Sequence, residues 1–139
     1  MREASPKPQA PFRFQLDFQS GVPVYRQLID QVQAGMAVGS LRPGHQLPTV
    51  RQLAVDLAIN PNTVLRAYRE LEIRSVLETQ QGTGTFISHR KVRADDAERE
   101  RQLEQLVGEF AARAGSAGFT LQDVMGVLLD RYPALGRRK

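Results

Sequence analysis

The sequence predicts an α+β chain: three helices with a small antiparallel β-wing, followed by a short module of two helices. Three observations carry this expectation. Two capped helix starts follow each other closely, at Pro48-Thr49 and at Asn60-Pro61. Two β-prone runs flank a glycine-containing tip, Gln80-Gln81-Gly82-Thr83-Gly84. Two further apolar stripes at helical period come after a basic linker. The first two are the parts of a winged helix-turn-helix, here expected over residues 12–88. The third defines a separate segment over 89–139, and residues 1–11 read as a disordered, proline-rich tail.

Composition sets the outer limits. The chain has 139 residues, 41% hydrophobic and 24% charged, which suits one or two small soluble domains. A net charge of +4 favours a polyanionic partner but does not by itself identify one. There is no cysteine, which excludes disulfides, thiolate metal sites and cysteine nucleophiles. No apolar run approaches the ~18 residues of a membrane span, and the N-terminus lacks the apolar core of a signal peptide. A cytoplasmic protein that does not engage membranes is expected.

In chain order, Phe12, Phe14, Leu16 and Phe18 alternate with polar residues, and this period of two predicts a short half-buried strand covering the domain's own core. A helix follows from Pro23, with Tyr25, Leu28, Ile29, Val32 and Met36 in one core-facing stripe and Gly39 as terminator. Leu41 to Gly44 is a turn, and His45-Gln46-Leu47 can add a short strand. Thr49 and Gln52 have capping-box spacing for the second helix, whose Leu53, Ala54 and Leu57 face inward. Ala58-Ile59 makes the turn. Asn60 caps the third helix, 61–74, which buries Val64, Ala67, Tyr68 and Leu71. Strands over 76–79 and 85–87 complete the wing.

Beyond a linker at 88–93, a helix over 94–114 carries Leu103, Leu106, Val107, Phe110, Ala111 and Ala114 on one side, and Gly115 to Gly118 break it. Thr120 and Asp123 then start a helix lined by Leu121, Val124, Met125, Leu128 and Tyr132, which Pro133 ends. A helix pair of this size has too little core to stand alone. A four-helix cluster across a two-fold axis, with Leu103, Leu106, Val107, Phe110, Leu121, Val124, Met125 and Leu128 at its interface, is the expected homodimer.

The central stretch has the chemistry to read double-stranded DNA. An α-helix fits a major groove about 12 Å wide. The third helix leads with Asn62 and Thr63, with Arg66 and Arg69 further along. Arginine can bind guanine bidentately, asparagine can bind adenine, and threonine can serve a base or a phosphate. Thr49 and Arg51 open the preceding helix, and free N–H groups at helix starts can add phosphate contacts. The wing tip at 80–85 offers Gln81, Gly82, Thr83 and Gly84, small and polar, suited to the backbone or the minor groove. A lone residue of this kind is usually solvated surface, but the ordered set of caps, turn, basic face and glycine wing is harder to account for that way.

These motifs resemble those of GntR-type bacterial transcription regulators. Leu47-Pro48-Thr49-Val50-Arg51-Gln52-Leu53-Ala54 resembles their LPSxRxLA signature. Pro23 to Leu28 is similar to their PIYxQI opening, and Asn60 to Val64, Arg66 to Tyr68, Leu71-Glu72 and Gly82 to Ile87 continue the match, over about Phe14 to Ser88. The short two-helix tail looks like that of the YtrA subfamily. The resemblance implies a homodimer built by the C-terminal helices, a palindromic operator, repression rather than activation, and control of transporter operons. It places DNA contacts on Arg51, Asn62, Thr63, Arg66, Gln81 and Gly82. Two positions depart from the pattern. Leu65 stands where many relatives have a basic residue. Ser75 stands where a glycine usually follows the recognition helix, so local strain or a different helix end is expected there.

Other functions find less support. There is no nucleophile–base pairing, P-loop or dinucleotide fingerprint, and Asp95-Asp96 reads as a solvated pair, so no enzyme is expected. His45 and His89 lack ligand spacing, so no metal or cofactor is expected. RNA platforms need exposed stacking aromatics, and most of the aromatic residues here fall on predicted core faces. A winged-helix protein-interaction module is the remaining rival. The short tail leaves little room for a ligand pocket, and a small-molecule effector stays open.

Overall fold

A computed structural model describes residues 12–89 and 96–136. The chain divides into two compact units, Met1–Arg90 and Lys91–Lys139. In the first unit the helices are α1 (Val24–Ala37), α2 (Val50–Leu57) and α3 (Pro61–Ile73). The strands are β1 (Gln46–Leu47), β2 (Leu77–Gln80) and β3 (Gly84–Ile87). The strands form one antiparallel sheet in the order β1-β3-β2, with Gln46 opposite Phe86 and Leu77 opposite Ile87. Helix α3 packs on α1, on α2 and on β2. Leu28, Ile29, Val32, Val64, Leu71 and Ile87 are fully enclosed at the centre. This is the winged helix-turn-helix that the sequence predicts.

The expected strand at 12–18 does not form. Residues 12–17 belong to no strand, and Phe18 lies in a turn. Their backbone is hydrogen-bonded instead by two glutamine side chains one turn apart on α1. Gln31 Oε1 accepts from the Gln15 N–H at 2.9 Å and its amide donates to the Gln15 carbonyl. Gln27 Oε1 accepts from the Asp17 N–H at 2.9 Å, and its Nε2 donates to the carbonyls of Asp17 and Val22, both at 2.8 Å. Side-chain amides thus satisfy the groups that a neighbouring strand would have paired. The alternation still describes burial: Phe14 enters the core, Phe12 and Leu16 pack against it, and Phe12 meets Phe14 edge to face. Phe18 does not follow, being 70% exposed. Gly35 on α1 makes this approach possible, since a Cβ there would lie 2.7 Å from the Phe12 ring.

Smaller differences have local causes. Met36 ends the α1 stripe exposed. The capping box of α2 is half made: Thr49 Oγ1 accepts from the Gln52 N–H, but the Gln52 amide donates to Asp56 Oδ1 at 2.7 Å instead of reaching back. The wing strands run one residue further into the tip than expected, to Gln80 and from Gly84, while Val76 lies outside the sheet. Helix α3 ends in a Schellman motif. The Val76 N–H bonds to the Leu71 carbonyl, the Ser75 N–H bonds to the Glu72 carbonyl, and Ser75 sits at φ +63°. Serine therefore occupies the left-handed position that glycine would favour, the strained outcome of the two expected. Ala58 does the same at the end of α2, at φ +56°, and its sequence carried no sign of it.

The second unit consists of α4 (Asp96–Ser116), α5 (Leu121–Arg131) and a 3-10 turn, Pro133–Gly136. Helix α4 runs through Gly115. Past its end at Ser116, Gly118 takes φ +89° and the Phe119 N–H bonds back to the Ala114 carbonyl. Residues 94 and 95 of the expected helix lie outside the described residues. The α5 capping box is complete: Thr120 Oγ1 accepts from the Asp123 N–H, and Asp123 Oδ2 accepts from the Thr120 N–H. Among the described residues, no helix is long and apolar enough to cross a membrane.

Candidate nucleic-acid interface

The site begins with how α3 is held. Pro61 takes its first position, and Asn60 caps it through a hydrogen bond from the Asn62 N–H to Asn60 Oδ1 at 2.8 Å. Val64, Ala67, Tyr68 and Leu71 form the enclosed face. Tyr68 reaches past the core, and its hydroxyl donates to the Pro48 carbonyl at 2.7 Å, tying α3 to the residue before the α2 cap. Burial raises the Tyr68 phenol above its ordinary range, so it stays a neutral donor.

Helical geometry then fixes what α3 shows outward. At 100° per residue, Asn62, Arg66, Arg69 and Ile73 fall on the side opposite the core. They border one shallow surface groove with Leu65 and Glu70. Asn62, Arg66 and Arg69 are exposed, and Thr63 and Leu65 are half-buried. The arginines of this unit sort by partner. Arg26 pairs with Asp30 at 3.4 Å, and Arg74 pairs with Glu70 at 3.1 Å and also touches Gln33. Arg51, Arg66 and Arg69 have no carboxylate partner among the described residues. Arg66 has an aromatic one, its guanidinium lying 3.7 Å above the centroid of the Tyr25 ring.

The two helix starts differ. At α3 the N–H groups are used up: Pro61 has none, and those of Asn62 and Thr63 bond to Asn60. The expected phosphate contact from free amides therefore does not apply to α3. At α2, Thr49 satisfies Gln52 and Leu53, leaving the N–H groups of Val50 and Arg51 without a protein partner among the described residues. The end able to receive an anion is that of α2, beside the Arg51 side chain.

The wing tip is Gln81-Gly82-Thr83, closed by the Thr83 N–H donating to the Gln80 carbonyl at 3.0 Å. Gly82 has φ +79° and open space around it. Gly84 is not open: Gln46 Nε2 lies 2.5 Å from where its Cβ would be and donates to the Thr83 carbonyl at 3.1 Å. Glycine at 84 lets β1 brace the tip. Thr79 adds a second brace, its hydroxyl donating to Glu72 of α3 at 2.6 Å. Nothing in the sequence marks Gln46 or Tyr25 as part of this surface, since one reads as strand and the other as core. Among the described residues, no three His, Cys, Asp or Glu side chains gather to hold a metal ion.

The arrangement offers cationic and amide donors on a rigid helix, beside a braced polar hairpin. Comparison with known proteins identifies the class. The model of the bacterial regulatory proteins of the gntR family matches residues 24–87. The chain is 43% identical over 113 residues to the HTH-type transcriptional regulator Rv1152 of Mycobacterium tuberculosis, covering 81% of this chain and 88% of that protein. It is 46% identical over 74 residues to the HTH-type transcriptional repressor YtrA of Bacillus subtilis, covering 53% and 57%. The structure of YtrA from Sulfolobus acidocaldarius, a GntR-family transcription factor, superposes with a TM-score of 0.53 at 30% identity, over 68% of this chain and 97% of that one. These relatives are regulators rather than enzymes, and the chain belongs to the gntR family of DNA-binding bacterial transcription regulators, built on a winged helix-turn-helix.

Proposed function

We propose that the protein is a repressor that binds a palindromic operator as a homodimer, with α3 in the major groove and the wing on the backbone or in the minor groove. The observation that carries this reading is the outward face of α3, where the side chains of Asn62, Arg66 and Arg69 have no hydrogen-bonding or ionic partner among the described residues while those of Arg26 and Arg74 do. Unpaired donors there are free for base edges. Arg51, with the free amides at the start of α2, grips phosphate and sets the register. Thr49 and Thr63 flank these contacts, and Gln81, Gly82 and Thr83 meet the backbone. Gly84 contributes through the shape of the tip.

Residues 12–88 then act as the DNA-binding domain and 89–139 as the dimerisation domain. Support for the second role is the exposure of Leu103, Leu106, Val107, Phe110, Leu121, Met125 and Leu128, all large and apolar, where the described part of the unit buries only Ala114. Pairing with a second copy covers them and places two recognition helices about 34 Å apart, in successive major grooves. Repression follows by occlusion of a promoter. The resemblance to YtrA-type regulators points to a transporter operon as the target.

The test is recovery of sheared genomic DNA by the protein at near-physiological salt, with sequencing of the bound fragments. One or a few sites sharing an inverted repeat are expected. Uniform recovery refutes operator binding, and single half-sites refute the dimer.

A further inference from the structure

The contact between Arg66 and Tyr25 has a consequence for recognition. The Arg66 guanidinium carbon lies over the face of the Tyr25 ring, 3.7 Å from its centroid, a separation that suits parallel stacking. Stacking of this kind engages the flat face of the guanidinium and leaves its edge, where the N–H donors lie, unused. Neither Arg66 nor the Tyr25 hydroxyl has a hydrogen-bond partner among the described residues, so nothing in the chain competes for that edge. Arg66 also lies on the outward face of α3, and Tyr25 lies on α1, in the first turn after Pro23. A long side chain that would otherwise sample many rotamers is therefore held from a second helix in one orientation.

We propose that Tyr25 is a positioning residue of the DNA interface, holding Arg66 by one face so that its donor edge is presented to a guanine. The inference rests on the base-reading role proposed for α3 and adds the residue that fixes its geometry. Pre-ordering arginine lowers the entropy lost on binding, and it favours the base whose paired acceptors match the fork, guanine with O6 and N7. The hydroxyl of Tyr25 is not needed for stacking, so phenylalanine can replace it in this role.

The experiment is selection of bound duplexes from a random-sequence pool by the full-length wild type, Arg66→Ala, Tyr25→Phe, Tyr25→Leu and the double variant Tyr25→Leu/Arg66→Ala. Arg66→Ala is expected to lose about ten- to hundred-fold discrimination for guanine at one position per half-site. Tyr25→Leu is expected to lose most of the discrimination at that same position and no other, Tyr25→Phe to keep it, and the double variant to match Arg66→Ala alone. Full discrimination in Tyr25→Leu overturns the proposal. If Arg66→Ala changes no position while the wild type still selects an operator, Arg66 reads no base. The positioning role then falls, and operator binding stands on other residues.

A second measurement does not depend on any variant folding. The Arg66 Nε–H resonance is expected to carry an upfield ring-current shift in the free protein and to keep it in the operator complex. Loss of that shift on binding means that Arg66 leaves the ring to reach its base, and it overturns the proposal.

Discussion

The two units of the chain use the same sequence device and reach different ends with it. Helix α1 and helix α4 both carry apolar residues at helical period. In the first unit that stripe closes: Leu28, Ile29 and Val32 are enclosed. In the second it stays open, with Leu106 65% and Phe110 52% exposed and Ala114 the only buried residue among those described. The winged unit has a sheet, three helices and the Phe12–Leu16 arm to surround its core. The other unit has two helices and a short turn, and two cylinders cannot enclose each other's apolar faces. Periodicity thus reports which face avoids water, while the number of packed layers decides whether one chain can supply the cover. Large apolar patches on a small unit mark an interaction surface.

The comparison breaks most visibly if charge is placed on the open surface. Phe110→Glu and Leu128→Glu each put a carboxylate where a second copy is expected to pack. Both are expected to sediment as monomers and to bind the operator on the order of a hundred-fold or more weakly, because the second half-site is no longer bound intramolecularly. Folding of the winged unit should survive. A dimeric variant with normal affinity removes the dimer model.

Next in size is a cavity in the closed unit. Leu71→Ala is expected to cost about 2–5 kcal/mol, since Leu71 is fully enclosed in the core of the winged unit. The cost should not depend on protein concentration. Leu106→Ala, at a position exposed in the single chain, is expected to lower stability only through the dimer, so its effect on the unfolding midpoint should vary with concentration. Equal, concentration-independent losses would mean that the second unit closes its own core.

Smaller again are the DNA-facing arginines of the first unit. Arg66→Ala is expected to cost about 1–3 kcal/mol and to relax one base position. Arg51→Ala should weaken all sequences alike and lower the salt slope by about one ion. Competition binding at several salt concentrations separates the two. Identical behaviour of the variants would refute the division between a reading helix and a gripping one.

How much of this was legible in the residues varies with the physics involved. Caps and terminators are local, so Thr49, Asn60, Thr120 and Gly39 could be read directly. The enclosed face of α3 followed from period alone. At 12–18 the alternation predicts a strand that does not form, because the hydrogen-bond partners of this arm are Gln27 and Gln31, polar residues on a helix that carry no mark of such a role. The candidate interface was legible as a set of donors on α3. What could not be read was which donors the chain itself engages. The Arg74–Glu70 pair is local, four residues apart at the end of α3, but that Arg66 lies on Tyr25 depends on how α1 crosses α3, a tertiary fact. Gln46 as a brace for Gly84 likewise needs the β1–β3 register.

The smallest effect sharpens the comparison at the helix ends. Both units stop a helix with a Schellman motif, but the first uses Ser75 at φ +63° and the second Gly118 at φ +89°. A side chain at such a φ costs roughly 1–2 kcal/mol of backbone strain, while glycine adds roughly 0.5–1 kcal/mol of unfolded-state entropy. The serine hydroxyl makes no hydrogen bond among the described residues, so Ser75→Gly forfeits none. Ser75→Gly is therefore expected to stabilise the winged unit by about 0.5–1 kcal/mol. Gly118→Ala is expected to destabilise the helix pair by a similar amount. A Cβ at Gly118 would meet nothing within 4 Å, so that loss is conformational and not steric. Thermal unfolding of both variants at one concentration checks the opposite signs. A stabilised Gly118→Ala, or a destabilised Ser75→Gly, would show that the strain is not where the dihedral angles place it.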